Sequence, residues 1–262
     1  MIVFIVPLKS KKISKNWGKV SQLLERTLKS VCNQTSDNFR VVIVCHERPD
    51  IAFEHPRASY VDVNFAPPNW SGNAKRQEDY QEIRLDKSRK LWFGLIHAQR
   101  FNPRYIMFVD ADDCISNRIA DFVSENSEED GWLVCSGYEY QDGSQRIFCR
   151  NKHFNQRCGS SHIIRYEFLS HKKMKFEEVT WEYLRHQTIE NMYKRFNKRF
   201  ECLPFRGAVY ITENAENIRS QTKYYLQRNS TLVQLALFHF RKAYKSFFSR
   251  KITLEIKDEF GI

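Results

Sequence analysis

Ile2-Val3-Phe4-Ile5-Val6-Pro7 is an unbroken apolar run closed by proline, and a strand built from it has no face to turn toward water. Such a strand belongs in a parallel sheet with helices covering both sides. Val20, Leu23, Leu24, Thr27, Leu28 and Val31 then recur at helical spacing, and Phe39 to Cys45, centred on Val41-Val42-Ile43-Val44, supplies a second buried strand. Together they form a strand-helix-strand unit whose length fits a right-handed crossover.

Tyr60-Val61-Asp62-Val63 reads as a third strand, followed by an irregular loop marked by Pro67, Pro68, Ser71, Gly72 and Asn73. Leu91, Trp92, Leu95 and Ile96 stripe the next helix, and Tyr105 to Val109 is a fourth strand. Directly behind it stands Asp110-Ala111-Asp112-Asp113. Carboxylates packed this closely repel one another unless a cation or solvent screens them. Small hard ions such as Mg²⁺ and Mn²⁺ take oxygen ligands and share open positions with substrate phosphates. Open α/β sheets bind ligands outside the carboxyl ends of their strands, which is where this turn falls. An EF-hand is excluded, because its sixth and twelfth positions would be Ile115 and Asp121.

Beyond Asp113 the pattern changes. Ile119, Phe122 and Val123 indicate a short helix, and Trp132-Leu133-Val134-Cys135 and Arg146-Ile147-Phe148 flank an Asp142-Gly143 turn as an antiparallel hairpin. Glu182 to Phe200 reads as a helix, Gly207 to Ile211 as a strand and Thr231 to Phe248 as a helix. Gly159-Ser160-Ser161 is either a turn or a place of close backbone approach to a ligand. No linker splits the chain, so the organisation expected is one domain over 1–215 and a basic helical extension over 216–262.

Lys and Arg number 42 against 31 acids, a net charge of +11, which suits an anionic partner. From Ser220 to Leu254 there is no acid, while Lys223, Arg228, Arg241, Lys242, Lys245, Arg250 and Lys251 alternate with Tyr and Phe. That segment either lies in an anionic membrane interface or packs on the domain with a basic outer face. Nucleic acid is not expected, since no zinc module, RNA-recognition signature or helix-turn-helix accompanies the charge. The seven cysteines are odd in number and form no Cys-x-x-Cys pair, which argues against a disulfide framework and for a reducing cytoplasm. Met1 to Pro7 is too short for a signal peptide, and no apolar segment reaches the roughly 18 to 20 residues of a spanning helix. The expectation is a cytoplasmic protein, soluble or peripheral at the inner face of the membrane.

Val6-Pro7, Leu28-Lys29-Ser30-Val31 with Gln34-Thr35, Val41 to Val44, and Phe108-Val109-Asp110-Ala111-Asp112-Asp113 occur in an order that resembles the family 2 glycosyltransferases of the GT-A fold, over roughly residues 1–215. The resemblance implies an α/β fold with a mostly parallel central sheet flanked by helices. It also implies a metal-dependent transfer of sugar from a nucleoside diphosphate sugar, a UDP-sugar first, to a hydroxyl of a glycan or lipid-linked acceptor, as in polysaccharide biosynthesis. On that likeness Asp110 and Asp112 hold Mn²⁺ or Mg²⁺ against the diphosphate, with Asp113 extending the motif and counted among the catalytic residues. Lys87, from a basic group with Arg84, Arg89 and Lys90, would approach the phosphates. Pro7 and Glu47 map to the nucleoside site, with Asp62 as a further candidate, although Cys45-His46-Glu47-Arg48 stands where the family has Asp-Asp-Gly-Ser. His186 is the candidate third metal ligand. Glu178, chosen from Glu177, Glu178 and Glu182, is the candidate general base of an inverting transfer. Two other readings stay open: a nucleotidyltransferase on a similar sheet, which normally carries a glycine-rich loop where this chain has Leu8-Lys9-Ser10-Lys11-Lys12, and a non-catalytic membrane-associated binding protein that retains the fold.

Overall fold

The computed structural model describes residues 1–69, 77–169, 174–216, 239–240 and 243–262. The chain opens with β1 (Ile2–Pro7), α1 (Trp17–Cys32), β2 (Phe39–Cys45) and β3 (Ala58–Asp62). It continues through α2 (Gln77–Ala98), β4 (Tyr105–Phe108), β5 (Cys114–Ile115) and α3 (Ile119–Glu125). Then come β6 (Gly131–Leu133), β7 (Gly137–Gln141), β8 (Arg146–Arg150) and β9 (His162–Arg165). The last elements are α4 (His186–Arg195), β10 (Glu201–Cys202), β11 (Ala208–Thr212), β12 (Ser249–Lys251) and α5 (Leu254–Phe260).

Seven strands form the main sheet in the order β10-β6-β9-β4-β1-β2-β3. β3, β2, β1 and β4 are parallel, and β9 alone runs against its neighbours β4 and β6. The pleat sorts β1 as its composition demands. Ile2, Phe4 and Val6 join Leu24, Leu28 and Val31 of α1 on one side, while Val3 and Ile5 join Leu91 and Leu95 of α2 on the other. All of β1 is buried, which is why no polar residue interrupts it. Gly94 lets α2 approach the sheet, since a Cβ there would overlap Ile5 Cγ2.

Five strands form a second sheet, ordered β12-β8-β7-β11-β5. Cys114, Tyr138, Ile147, Val209 and Ile211 meet Ile256 and Phe260 of α5 beneath it. The segment read from sequence as a helical extension from 216 on thus includes a strand and a helix that complete this sheet; residues 217–238 lie outside the described residues. Helical residues 243–248 precede β12.

Three expectations are corrected. The hairpin around Asp142-Gly143 is built from β7 and β8, with Gly143 at φ +81°, whereas Trp132-Leu133 joins the main sheet opposite Ile163 and His162. Buried Trp132 packs against Tyr105 there, a partner that the hairpin register would deny it. The helix expected over Glu182 to Phe200 is confined to α4, because Leu184 and Asn197 adopt left-handed φ values of 57° and 53° at its two ends. Finally, Cys135 and Cys202 are disulfide-bonded, with Cα atoms 5.5 Å apart, tying the end of β6 to β10. Parity of the cysteine count excludes a complete framework but not a single bridge between adjoining strands.

Candidate active site

The parallel strands β1 and β4 deliver Pro7 and the Asp110–Asp113 turn to the same edge of the main sheet. α2 brings Lys87 to that edge, and a cleft of about 1230 Å³ opens in front of it, lined by Pro7, Lys87, Asp110 and Asp112 among others. A space of that size takes a nucleotide with a further group attached.

The three carboxylates do different work. Asp113 is 1% exposed. It accepts hydrogen bonds from Ser160 Oγ at 2.8 Å, Cys158 Sγ at 3.1 Å and the Ile211 amide at 3.2 Å. Burial, then the charges of Asp112 and Asp110, push its carboxyl well above the usual range. It bolts the turn to the second sheet through the Ile211 amide and is not among the residues that line the cleft. Asp112 accepts from Asn214 Nδ2 at 2.7 Å. Burial and the Asp110 charge push it up to about 6, against that hydrogen bond and the more distant Lys87 and Arg26 charges. Asp110 is ion-paired with Lys87, and its amide donates to Ser160 Oγ at 2.9 Å. Burial opposes the Lys87 charge, but Asp110, Asp112 and Asp113 outweigh it and raise its pKa.

The Gly159-Ser160-Ser161 segment is a place of close approach, and the group approached is Asp110. A Cβ on Gly159 would overlap Asp110 Oδ2. Gly159→Ala is therefore expected to displace that flexible carboxylate while leaving the fold intact. Calorimetry should show Mn²⁺ affinity reduced by about tenfold, equivalent to about 1.4 kcal/mol, with an unchanged melting temperature; unchanged affinity would mean that Asp110 is not a ligand.

A divalent cation fits this donor set. Asp110 and Asp112 present hard oxygens to one cleft, where burial and then the Asp110 charge raise the Asp112 carboxyl. Lys87 supplies only one positive charge against them. Among the described residues no group of three or more His, Cys, Asp or Glu side chains is gathered to hold a metal, so the remaining ligands would come from substrate phosphate and water. His186 opens α4, and its side chain lies outside the described residues.

Other expected contacts are placed elsewhere. Glu47 accepts from the Lys11 amide at 3.0 Å and Ser10 Oγ at 3.3 Å, holding the loop after β1, and does not line the cleft. Asp62 is engaged by exposed Arg48, at 2.7 Å from Nη2 and 2.9 Å from Nε, also outside the cleft. Glu178 is exposed and accepts from the Lys175 amide at 2.7 Å, closing a helix-cap arrangement away from the cleft lining. Each is a carboxylate spent on nearby backbone or a surface cation.

Five residues that sequence reasoning missed help shape the site. Asn214, flanked by Glu213 and Ala215 at left-handed φ values of 59° and 67°, holds Asp112. Glu216 pairs with Lys9 Nζ at 2.7 Å and accepts from the Asn16 amide at 2.7 Å and the Lys15 amide at 3.2 Å. His162 and Glu190 line the same cleft, 3.6 Å apart. Asp86, on the cleft wall, binds both His46 Nε2 and the buried Lys90 Nζ at 2.7 Å, and Lys90 also donates to Leu8 O at 2.8 Å. Only the Asp86/Lys90 spacing of four on a helix signals its pairing in the sequence.

No protein-family model and no curated protein matches the sequence. Among solved structures the chain is similar to S. aureus TarS 1–349, at 14% identity and a TM-score of 0.46, over 80% of this chain and 60% of that one. The chain thus spans less than two thirds of that structure's length. It is also similar to the bifunctional IspDF from Campylobacter jejuni, at 10% identity and a TM-score of 0.39, over 82% of this chain and 50% of that one. A third likeness is to the Francisella tularensis 2-C-methyl-D-erythritol 4-phosphate cytidylyltransferase IspD, at 12% identity and a TM-score of 0.38, over 86% and 97%.

Proposed function

We propose that the chain is a divalent-cation-dependent glycosyltransferase of GT-A type, moving a sugar from a nucleoside diphosphate sugar to a hydroxyl of a glycan or lipid-linked acceptor. The observation that carries this is the meeting of Asp110, Asp112 and Lys87 at the carboxyl end of β4, in a cleft that also reaches Pro7 at the end of β1. When bound, Mn²⁺ or Mg²⁺ would neutralise charge on a departing diphosphate. Asp110 and Asp112 would hold it, and Lys87, drawn off Asp110 once that carboxylate has another cation, would turn its ammonium to the phosphate oxygens. Gly159 keeps the space beside Asp110 clear, and Asn214 fixes the rotamer of Asp112. The loop after β1 carries no glycine and forms a 3-10 turn at Lys11–Ile13 capped by Ser10. It lacks the flexible phosphate cradle expected of the rival nucleotidyltransferase reading.

Thermal-shift titration with uridine, guanosine and thymidine diphosphates tests the reading. One nucleotide is expected to raise the melting temperature in the presence of Mn²⁺ and to do little without it, since a ligand at about 100 times its Kd adds about 2.7 kcal/mol. Equal shifts with and without the cation would refute a metal-bridged diphosphate.

A further inference from the structure

Phe240, Tyr244, Phe247 and Phe248 follow the i, i+4, i+7, i+8 spacing of a single helix face, and the backbone is helical at 239–240 and 243–248. A stripe of that kind ordinarily faces a core. Here it faces outward: Phe240 is 68% exposed, Tyr244 48%, Phe247 80% and Phe248 56%, with Leu254 at 76% just past β12. Those five make up most of the eight large apolar side chains that stand exposed among the described residues. The rings touch one another, Tyr244 to Phe248 at 4.5 Å and Phe247 to Phe248 at 5.1 Å between centroids. The helical residues 243–248 are anchored to the second sheet by the Lys245–Glu139 ion pair and by Tyr244 set edge-on to Phe148. The rings of Tyr244, Phe247 and Phe248 are therefore tied to the second sheet.

Charge identifies the occupant. No acid occurs between Ser220 and Leu254, and Lys251 stands exposed on the edge strand β12, on the sheet face that carries Phe148, while Arg250 turns to the other face and donates to Tyr138. A second copy of this chain meeting the patch face to face would bring cations against cations. An anionic bilayer offers what both halves of the patch need: an acyl boundary for rings and headgroups for cations. We propose that the Phe240–Tyr244–Phe247–Phe248 stripe, with Lys251 beside it, is a docking face for an anionic membrane surface. The attachment is peripheral, as no helix among the described residues is long and apolar enough to cross a membrane. It is independent of the chemistry assigned to the acid pair.

The full chain is to be sedimented with phosphatidylcholine vesicles containing about one third phosphatidylglycerol, and with phosphatidylcholine alone. Binding to the anionic vesicles is expected to exceed binding to the neutral ones by about tenfold and to weaken with salt. Phe247→Ser with Phe248→Ser, both solvent-facing and so neutral to folding, should lower partitioning by about tenfold. Lys251→Glu should lower it on anionic vesicles only. Vesicle binding that the double variant leaves unchanged, or no binding at all, would overturn the proposal. So would light scattering showing a dimer that the double variant dissolves, which would assign the stripe to self-association. Cation-dependent hydrolysis of a soluble donor should be the same in the double variant and the parent, so failure of the docking face leaves the reading of the cleft untouched.

Discussion

Asp110→Asn and Asp112→Asn are each expected to lower cation-dependent turnover of a nucleoside diphosphate sugar by about a thousandfold, and Asp112→Asn is expected to do so while raising the melting temperature. The two effects share a cause. Burial and Asp110 hold the Asp112 carboxyl up at about 6, so the folded state resists its ionisation. A carboxyl whose pKa rises on folding weakens the fold at pH values above that raised pKa, and the penalty disappears as pH falls below the unfolded pKa near 3.8. Asparagine removes the charge, and its amide oxygen can still accept from Asn214. Added Mn²⁺ should lift the melting temperature of the parent and leave that of Asp112→Asn nearly still. Measured side by side, turnover and melting should move in opposite directions. A variant that loses both would show Asp112 to be a structural acid, and one that loses neither would remove the metal site.

Asp86→Ala is expected to produce the largest loss of stability, about 3 to 5 kcal/mol by urea denaturation. Lys90 is 1% exposed, and burial lowers its pKa despite the nearby Asp86 charge. With Asp86 gone, the ammonium keeps Leu8 O as a neighbour but loses its counter-charge, and His46 loses its acceptor. Against a typical total of about 5 to 15 kcal/mol, that loss is large. Lys90→Met in the same background should recover most of it, because a buried ion pair replaced by matched apolar groups is often neutral. A drop below about 1 kcal/mol in the single variant would mean that water reaches Lys90 freely.

The strands and helices of the first half are legible because their signals are local. β1 announces double-sided burial by an unbroken apolar run and β2 by the run from Val41 to Cys45, while α1 is marked by its 3.6-residue period. Trp132-Leu133 is equally convincing as a strand in either sheet, and its place is decided only by Ile163 and His162, some thirty residues away. The site divides in the same way. The Asp110 and Asp112 turn is legible because it follows a strand end, whereas Lys87 and Pro7 come only from the family resemblance; all four line one cleft. Glu47, Asp62 and Glu178 carry suitable chemistry, yet amides and a guanidinium close at hand claim them. Asn214 reaches Asp112 across 102 positions of sequence, a distance over which one chain shows no pattern.

The turn at 213–216 has a mechanical meaning. It leaves β11 of the second sheet, grips Asp112 through Asn214, and then clasps Lys9 and the start of α1 through Glu216. The acid that faces the cleft is thus one of the points, with Asp113, at which the second sheet is tied to the end of β4. The stitch makes the spacing between Asp110 and Asp112 a gauge of how squarely the two halves of the molecule sit on each other.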